Sequence, residues 1–239
     1  MNYRKQEVTG ILLCVLALCI FLSFVTYSPL ETPSGLSPAI SQTNIKRMLA
    51  YSTVAHAGYL MIGLAAISSS GTANEIAHGT SSVLYYLGGY ALTNLAAFSA
   101  VIAISNRIES DTINDYAGMG SRAPYMSAIL AFAMISLTGI PPTVGFMVKL
   151  YIFGIAISSG WAWLVLVGVI NSVVSAYYYL RVVKVMYLSP PLSKEPISSG
   201  VSLRLALLAT GICVVILGLY PRPLLELAIT AAEALASIS

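Results

Sequence analysis

Residues 136–150 read Ser136-Leu-Thr-Gly-Ile-Pro-Pro-Thr-Val-Gly-Phe-Met-Val-Lys-Leu150, and the rest of the chain can be understood outward from them. A helix-breaking run, Gly139-Ile-Pro-Pro142, is followed seven residues later by Lys149, the only charged residue between Arg122 and Arg181. Two adjacent prolines remove two backbone donors and leave helix carbonyls unbonded. The flanking residues are apolar enough to lie in lipid, where a lysine at a helix centre costs roughly 2.5–3.5 kcal/mol on insertion scales. A lysine kept at such a place points to function. Irregular backbone at membrane depth is tolerated only where protein or a water-filled cavity surrounds it. Transporters use a broken helix beside a buried polar group to form an ion site near the bilayer midplane.

Composition sets the solvent in which this stretch is read. Over 239 residues, 57% are hydrophobic and only 9% are charged, with a mean hydropathy of +0.83. Soluble domains carry about 25% charge, so a soluble globular reading is excluded. The fold class expected is all-α: a polytopic transmembrane helix bundle. At roughly 20 apolar residues per crossing it has about six spans, one of them broken between Gly139 and Pro142. The net charge of +3 is small and dispersed, which argues against a nucleic-acid partner. Cys14, Cys19 and Cys213 fall inside apolar runs without metal-ligand spacing and read as small apolar fillers.

Residues 8–27 form a first span behind Arg4 and Lys5. Its apolar core exceeds the 7–15 residues usual for a signal peptide, and no small-residue cleavage site follows, so an uncleaved anchor is expected. Residues 28–44 are rich in Pro, Ser and Thr. A second span is expected over 47–68, with Lys46 and Arg47 at its interface end. His56, nine residues inside, is about 13 Å along the axis at 1.5 Å per residue. A loop with Glu75 and His78 leads to a third span over 80–104, and the polar run 106–116 ends the first half of the chain. The fourth, 124–157, is too long for one straight crossing and is broken at Pro141-Pro142. The fifth, 161–187, opens with Trp161 and Trp163, as interfacial aromatics do. Asn171, Ser175, Tyr178 and Tyr179 lie on or near one face of it. The sixth covers 203–220. Residues 223–239 read as an amphipathic tail lying at the interface.

Loops taken alternately place Lys46, Arg47, Arg107, Arg122, Arg181, Lys184, Lys194 and Arg204 on one side, against Arg4, Lys5 and Arg222 on the other. Cytoplasmic loops carry the excess of Lys and Arg, so spans two to six begin in the cytoplasm and end outside. The first span disagrees, since Arg4 and Lys5 ask for a cytoplasmic N-terminus. A domain division follows: an anchor of unrelated character over 1–31, a linker over 32–44, a five-helix module over 45–222 and the tail.

Lys149 is the leading candidate for proton transfer. Apolar residues run well beyond it on both sides, which opposes a lysine snorkelling to the headgroups. His56 is the second candidate, because imidazole changes charge near neutral pH. Against it stands the ordinary role of a packed, hydrogen-bonded histidine. The fifteen tyrosines read chiefly as packing and interface residues. The sequence holds no Ser/His/Asp triad, flavin or haem site, iron–sulfur ligand set or metal-ligand cluster, so no catalytic or redox centre is expected in this chain.

Two segments carry a resemblance. Ser41-Gln-Thr-Asn-Ile-Lys-Arg-Met-Leu-Ala-Tyr-Ser-Thr-Val-Ala-His-Ala-Gly-Tyr59 and Ser136–Lys149 resemble the antiporter-like membrane subunits of respiratory complex I. The run Ser175-Ala-Tyr-Tyr-Tyr-Leu-Arg-Val-Val-Lys-Val-Met-Tyr187 narrows this to the subunit N family of NADH-quinone oxidoreductases. The likeness covers about residues 40–225. It implies inverted five-helix repeats, each with a lysine-bearing broken helix, and gives Lys149 the place of the second such lysine and His56 a place on the central hydrophilic axis. It also implies a multi-pass place in the bacterial inner membrane. The expected function is proton translocation coupled to quinone reduction, beside other membrane subunits. NADH, flavin, iron–sulfur clusters and quinone would belong to the partner complex, with no cofactor in this chain. A cation/proton antiporter or a membrane-bound hydrogenase reuses the same module. The resemblance reaches only the last five helices. Residues 1–31 stand apart, with a short likeness near 23–31 to the first membrane helix of bacterial cell-division DNA translocases. A fusion, or a truncated product without transport, is the further alternative.

Overall fold

A computed structural model of the chain describes residues 42–69, 72–193, 195–197 and 200–236. The first span, the 1–31 anchor, most of the linker, Cys14, Cys19 and Lys194 lie outside the described residues. Those described form a helical bundle: α1 (Ile45–Ser68), α2 (Ala73–Ile108), a 3-10 turn (Ile113–Tyr116), α3 (Met119–Arg122), α4 (Pro124–Thr138), α5 (Val144–Ser158), α6 (Ala162–Leu188), α7 (Val201–Leu219) and α8 (Arg222–Ala236). Helices α1, α2 and α6 are each long and apolar enough to cross a membrane. Helices α4 and α5 are shorter apolar pieces on either side of the proline break.

Local chemistry sets most boundaries. Asn44 caps α1, its side chain accepting from the Arg47 amide at 3.0 Å. The segment with Glu75 and His78 is helix, not the expected loop. Thr72 and Glu75 close a reciprocal capping box, which satisfies two orphan donors and starts α2 seven residues before the expected 80. Pro124 opens α4 at a position where its missing N–H costs nothing. Gly139 ends α4 at φ +89°, a left-handed conformation that glycine adopts readily.

The ends assigned to the cytoplasm are tied to one another. The Ile45 amide donates to the Asp111 carbonyl at 2.9 Å, the Gly118 amide to Val185 at 3.3 Å and the Ile197 amide to Arg122 at 2.8 Å. Lys46 pairs with Asp111 at 2.7 Å, and Ser105 donates to the same carboxylate. These two partners hold the Asp111 carboxyl below its ordinary pKa. At the opposite face the Trp161 indole donates to Ser69 Oγ at 3.1 Å.

Helices α7 and α8 meet at a bend of 81°. A Cβ on Gly218 would stand 2.2 Å from the Pro142 carbonyl oxygen, so the elbow of this pair rests on the proline break itself. Helix α8 then lies along α2, where a Cβ on Gly88 would meet Leu224 at 3.1 Å. Ala228 and Ala232 are buried there.

Candidate functional site

The proline break exposes the end of α4, and Lys149 fills it. The last carbonyls of a helix have no partner within it and carry its partial negative charge. Here the Lys149 ammonium donates to the Leu137 carbonyl at 2.9 Å and to the Thr138 carbonyl at 3.0 Å. A third bond goes from Lys149 Nζ to Ser172 Oγ on α6 at 2.9 Å, and the Ser172 hydroxyl itself donates to the Thr138 carbonyl at 3.1 Å. These contacts take up all three donors of an ammonium. Lys149 is buried, 5% exposed, and its amine stands 5.0 Å from the Tyr59 ring centroid, within range of a cation–π attraction. Among the described residues no carboxylate pairs with it; every partner is neutral.

Close packing of α4 on α5 makes this geometry possible. The Gly145 amide donates to Ser136 Oγ at 3.1 Å, and a Cβ on Gly145 would stand 1.9 Å from the Ser136 carbonyl oxygen. A Cβ on Gly139 would meet Lys149 Cδ at 3.0 Å. Pro141 and Pro142, joined by a cis peptide, are exposed; they interrupt the helix, and the glycines allow the approach.

His56, on α1, is 4% exposed. Its Nδ1 lies 2.7 Å from the Tyr86 hydroxyl and its Nε2 lies 3.3 Å from the Tyr179 hydroxyl. Tyr90 stacks on the imidazole at 4.4 Å between centroids, and Tyr59 meets it edge-on at 5.6 Å. A hydroxyl can donate or accept by rotating, so these two partners suit either charge state of the ring. His56 and Lys149 wall the same internal cavity, together with Tyr90, Thr93 and Ser136. Its free space is about 10 Å³, near the minimum for one water molecule. On its other side Lys149 borders a cleft of about 330 Å³ that runs between α5 and α6, walled by Phe153, Ser172 and Val173. The lysine therefore stands between the small cavity it shares with His56 and a cleft that opens on the bundle surface.

Both candidates for proton transfer, Lys149 and His56, are brought together with the break residue Gly139. Sequence reasoning did not single out Ser172, and it read Tyr86 and Tyr179 as packing. Helical phase around Tyr179 was the available signal, since Ser172, Ser175 and Tyr179 recur at three- and four-residue spacing. Cys213 is free and exposed on α7. Among the described residues, no three His, Cys, Asp or Glu side chains gather into a metal site.

Residues 10–175 match the family described as NADH:quinone oxidoreductase/Mrp antiporter, transmembrane. The chain belongs to this family. The match begins inside the 1–31 segment that the sequence sets apart, so the family likeness reaches into that segment. Among family relatives, the NADH-quinone oxidoreductase subunit N of Moorella thermoacetica is 41% identical over 87% of this chain and 42% of its own length. That of Desulfitobacterium hafniense is 34% identical over 98% of the chain and 47% of its own length. The chain thus spans less than half the length of these relatives. Among solved structures, a chain of the archaeal membrane-bound sulfane sulfur reductase, a respiratory membrane complex, is 25% identical and superposes with a TM-score of 0.77 over 95% of this chain and 42% of its own. A chain of Thermus thermophilus respiratory complex I is 26% identical, with a TM-score of 0.69 over 91% and 45%. The Mrp complex from a Dietzia species, at 19% identity and a TM-score of 0.77 over 96% and 48%, shares the fold.

Proposed function

We propose that this chain is the antiporter-like part of a proton-translocating NADH-quinone oxidoreductase of the bacterial inner membrane, in which Lys149 holds a proton and His56 relays it. The observation that carries this reading is the shared cavity: a buried amine on neutral acceptors and a buried imidazole on two hydroxyls line the same small space. An amine whose partners are all neutral can release its proton without leaving a carboxylate uncompensated beside it. Burial keeps that proton from exchanging freely with bulk water. Electron transfer from NADH to quinone would occur in partner subunits, which carry the flavin and iron–sulfur clusters. This chain contributes proton-carrying groups and packs beside other membrane subunits.

The test is proton uptake by proteoliposomes holding the assembled complex, followed with a pH-sensitive acridine dye during quinone reduction. Lys149→Ala is expected to abolish or sharply reduce uptake while the complex still assembles. Uptake equal to the parent's would remove Lys149 from the path and favour a fragment without transport. A second reading, a subunit of a cation/proton antiporter or of another respiratory membrane complex, draws on the fold shared with the Mrp complex and the sulfane sulfur reductase. Proton movement driven by a sodium gradient in the absence of quinone would favour it.

A further inference from the structure

We propose that the groove between α4 and α7 binds one acyl chain of an anionic phospholipid, whose headgroup is held by Arg204 and Arg122. A cavity of about 500 Å³ lies there, away from Lys149. Its walls are Tyr125, Ile129 and Phe132 on one helix and Leu208, Ile212 and Ile216 on the other. No polar side chain apart from the Tyr125 phenol borders it. Tyr125, Phe132, Ile212 and Ile216 are each about half exposed, so the groove opens sideways to the hydrocarbon. Gly211 forms its floor: a Cβ there would meet Ile129 at 3.2 Å, and the missing side chain leaves the hollow.

Depth and charge identify the occupant. From Pro124 to Phe132 the groove descends about 12 Å at 1.5 Å per residue, most of one leaflet of a hydrocarbon core about 30 Å thick. It starts at the interface end of α4, where Arg122 stands two residues before Pro124 and Arg204 lies over the Tyr125 ring at 5.4 Å. Arg122 donates to the Glu195 main-chain carbonyl at 3.2 Å. Among the described residues neither arginine pairs with a carboxylate, and both lie on the side that carries the excess of basic residues. The Arg204 guanidinium over the Tyr125 ring at the mouth of an apolar channel one leaflet deep, with Arg122 just before Pro124 at the same end of the helix, complements a phosphate above an acyl chain. The two arginines do not complement a protein helix, which brings no charge to that level by necessity.

The full chain, carrying Phe132→Trp, is placed in phosphatidylcholine bilayers containing a small equal mole fraction of either phosphatidylglycerol or phosphatidylcholine with brominated chains. Quenching is taken relative to the parent, whose Trp161 and Trp163 lie at the opposite face. The brominated anionic lipid is expected to occupy the site about five-fold more readily per arginine engaged, the selectivity of a cation at an anionic surface. Adding Arg204→Gln is expected to lower that preference about five-fold, and adding Ala128→Phe, which fills the hollow, to lower quenching by both lipids. Equal quenching by the two lipids in the arginine-bearing protein overturns the proposal, leaving an ordinary lipid-facing surface. Absence of quenching by either overturns it too, and marks the groove as covered by protein.

Discussion

Replacing Gly145 by alanine puts the packing of α4 on α5 to the test. The added Cβ would lie 1.9 Å from the Ser136 carbonyl oxygen and 2.7 Å from its carbon. Both are backbone atoms, so no rotamer change relieves the clash. Reaching an ordinary contact of 3.4 Å requires the helices to part by about 1.5 Å. Lys149 sits one turn beyond Gly145 on the same helix. Its bonds to Leu137 and Thr138, now 2.9 and 3.0 Å, would stretch past 4 Å if the helices separated by that amount, which is no longer a hydrogen bond. Overpacking costs about 1–3 kcal/mol of stability, and a 1 Å misplacement of a working group can cost about 100-fold in rate. Gly145→Ala is therefore expected to lower the thermal midpoint of the chain in lipid nanodiscs and to cut dye-detected proton uptake by about two orders of magnitude. Gly154→Ala, on the same helix with nothing within 4 Å of its added Cβ, is the control and is expected to leave both unchanged or to raise stability slightly. Parent-like uptake by Gly145→Ala would refute the dependence of the site on this close approach.

Ser172→Ala removes one of the amine's three acceptors. A hydrogen bond to a charged group is worth about 1.5–3 kcal/mol, so uptake is expected to slow about tenfold or more, with Ser172→Thr near the parent. His56→Ala takes the imidazole from the Tyr86 hydroxyl, at about 1–3 kcal/mol for a buried group left unpaired, while the Tyr179 hydroxyl keeps Ser52 and Tyr178 within reach. His56→Gln is expected to recover the thermal midpoint without recovering uptake, since an amide does not titrate; recovery of both would make His56 a packing residue. Because Lys46 and Ser105 depress the Asp111 carboxyl in the folded state, the stability it contributes is complete above its ordinary value of 3.8 and fades as pH falls through the lowered one. The midpoint of Asp111→Asn should accordingly lose less than the parent's on acidification below that value, and parallel pH profiles would remove the pair from the account. Gly218→Ala, with its added Cβ 2.2 Å from the Pro142 oxygen, is expected to lift the α7–α8 elbow and expose a cysteine placed at Leu224 to maleimide; unchanged labelling would contradict it.

What could be read in the sequence was whatever left a mark against an apolar background. Lys149 and the proline pair are such marks, and so is His56. The meeting of these residues was not legible, because 93 positions separate Lys149 from His56 and no periodicity spans helices. The run Tyr177-Tyr-Tyr179 shows the limit at the smallest scale. Three identical side chains differ only in helical phase, yet Tyr177 is 62% exposed and Tyr179 is fully buried, with its hydroxyl on His56. The start of α2 was available in Thr72 and Glu75 but was outweighed by the polar character of the segment. The elbow at Gly218 had no such mark; a glycine near a helix end signals a stop, and says nothing of the partner it meets.

Two of the three acceptors around the Lys149 amine are main-chain oxygens, which no codon change can delete. A lineage that needed to retune this site would find few heritable handles: position 172 itself, or the glycines that govern how near the oxygens come. Variation here should be sparse and concentrated at those few positions, with the carbonyls staying constant whatever side chains residues 137 and 138 come to bear.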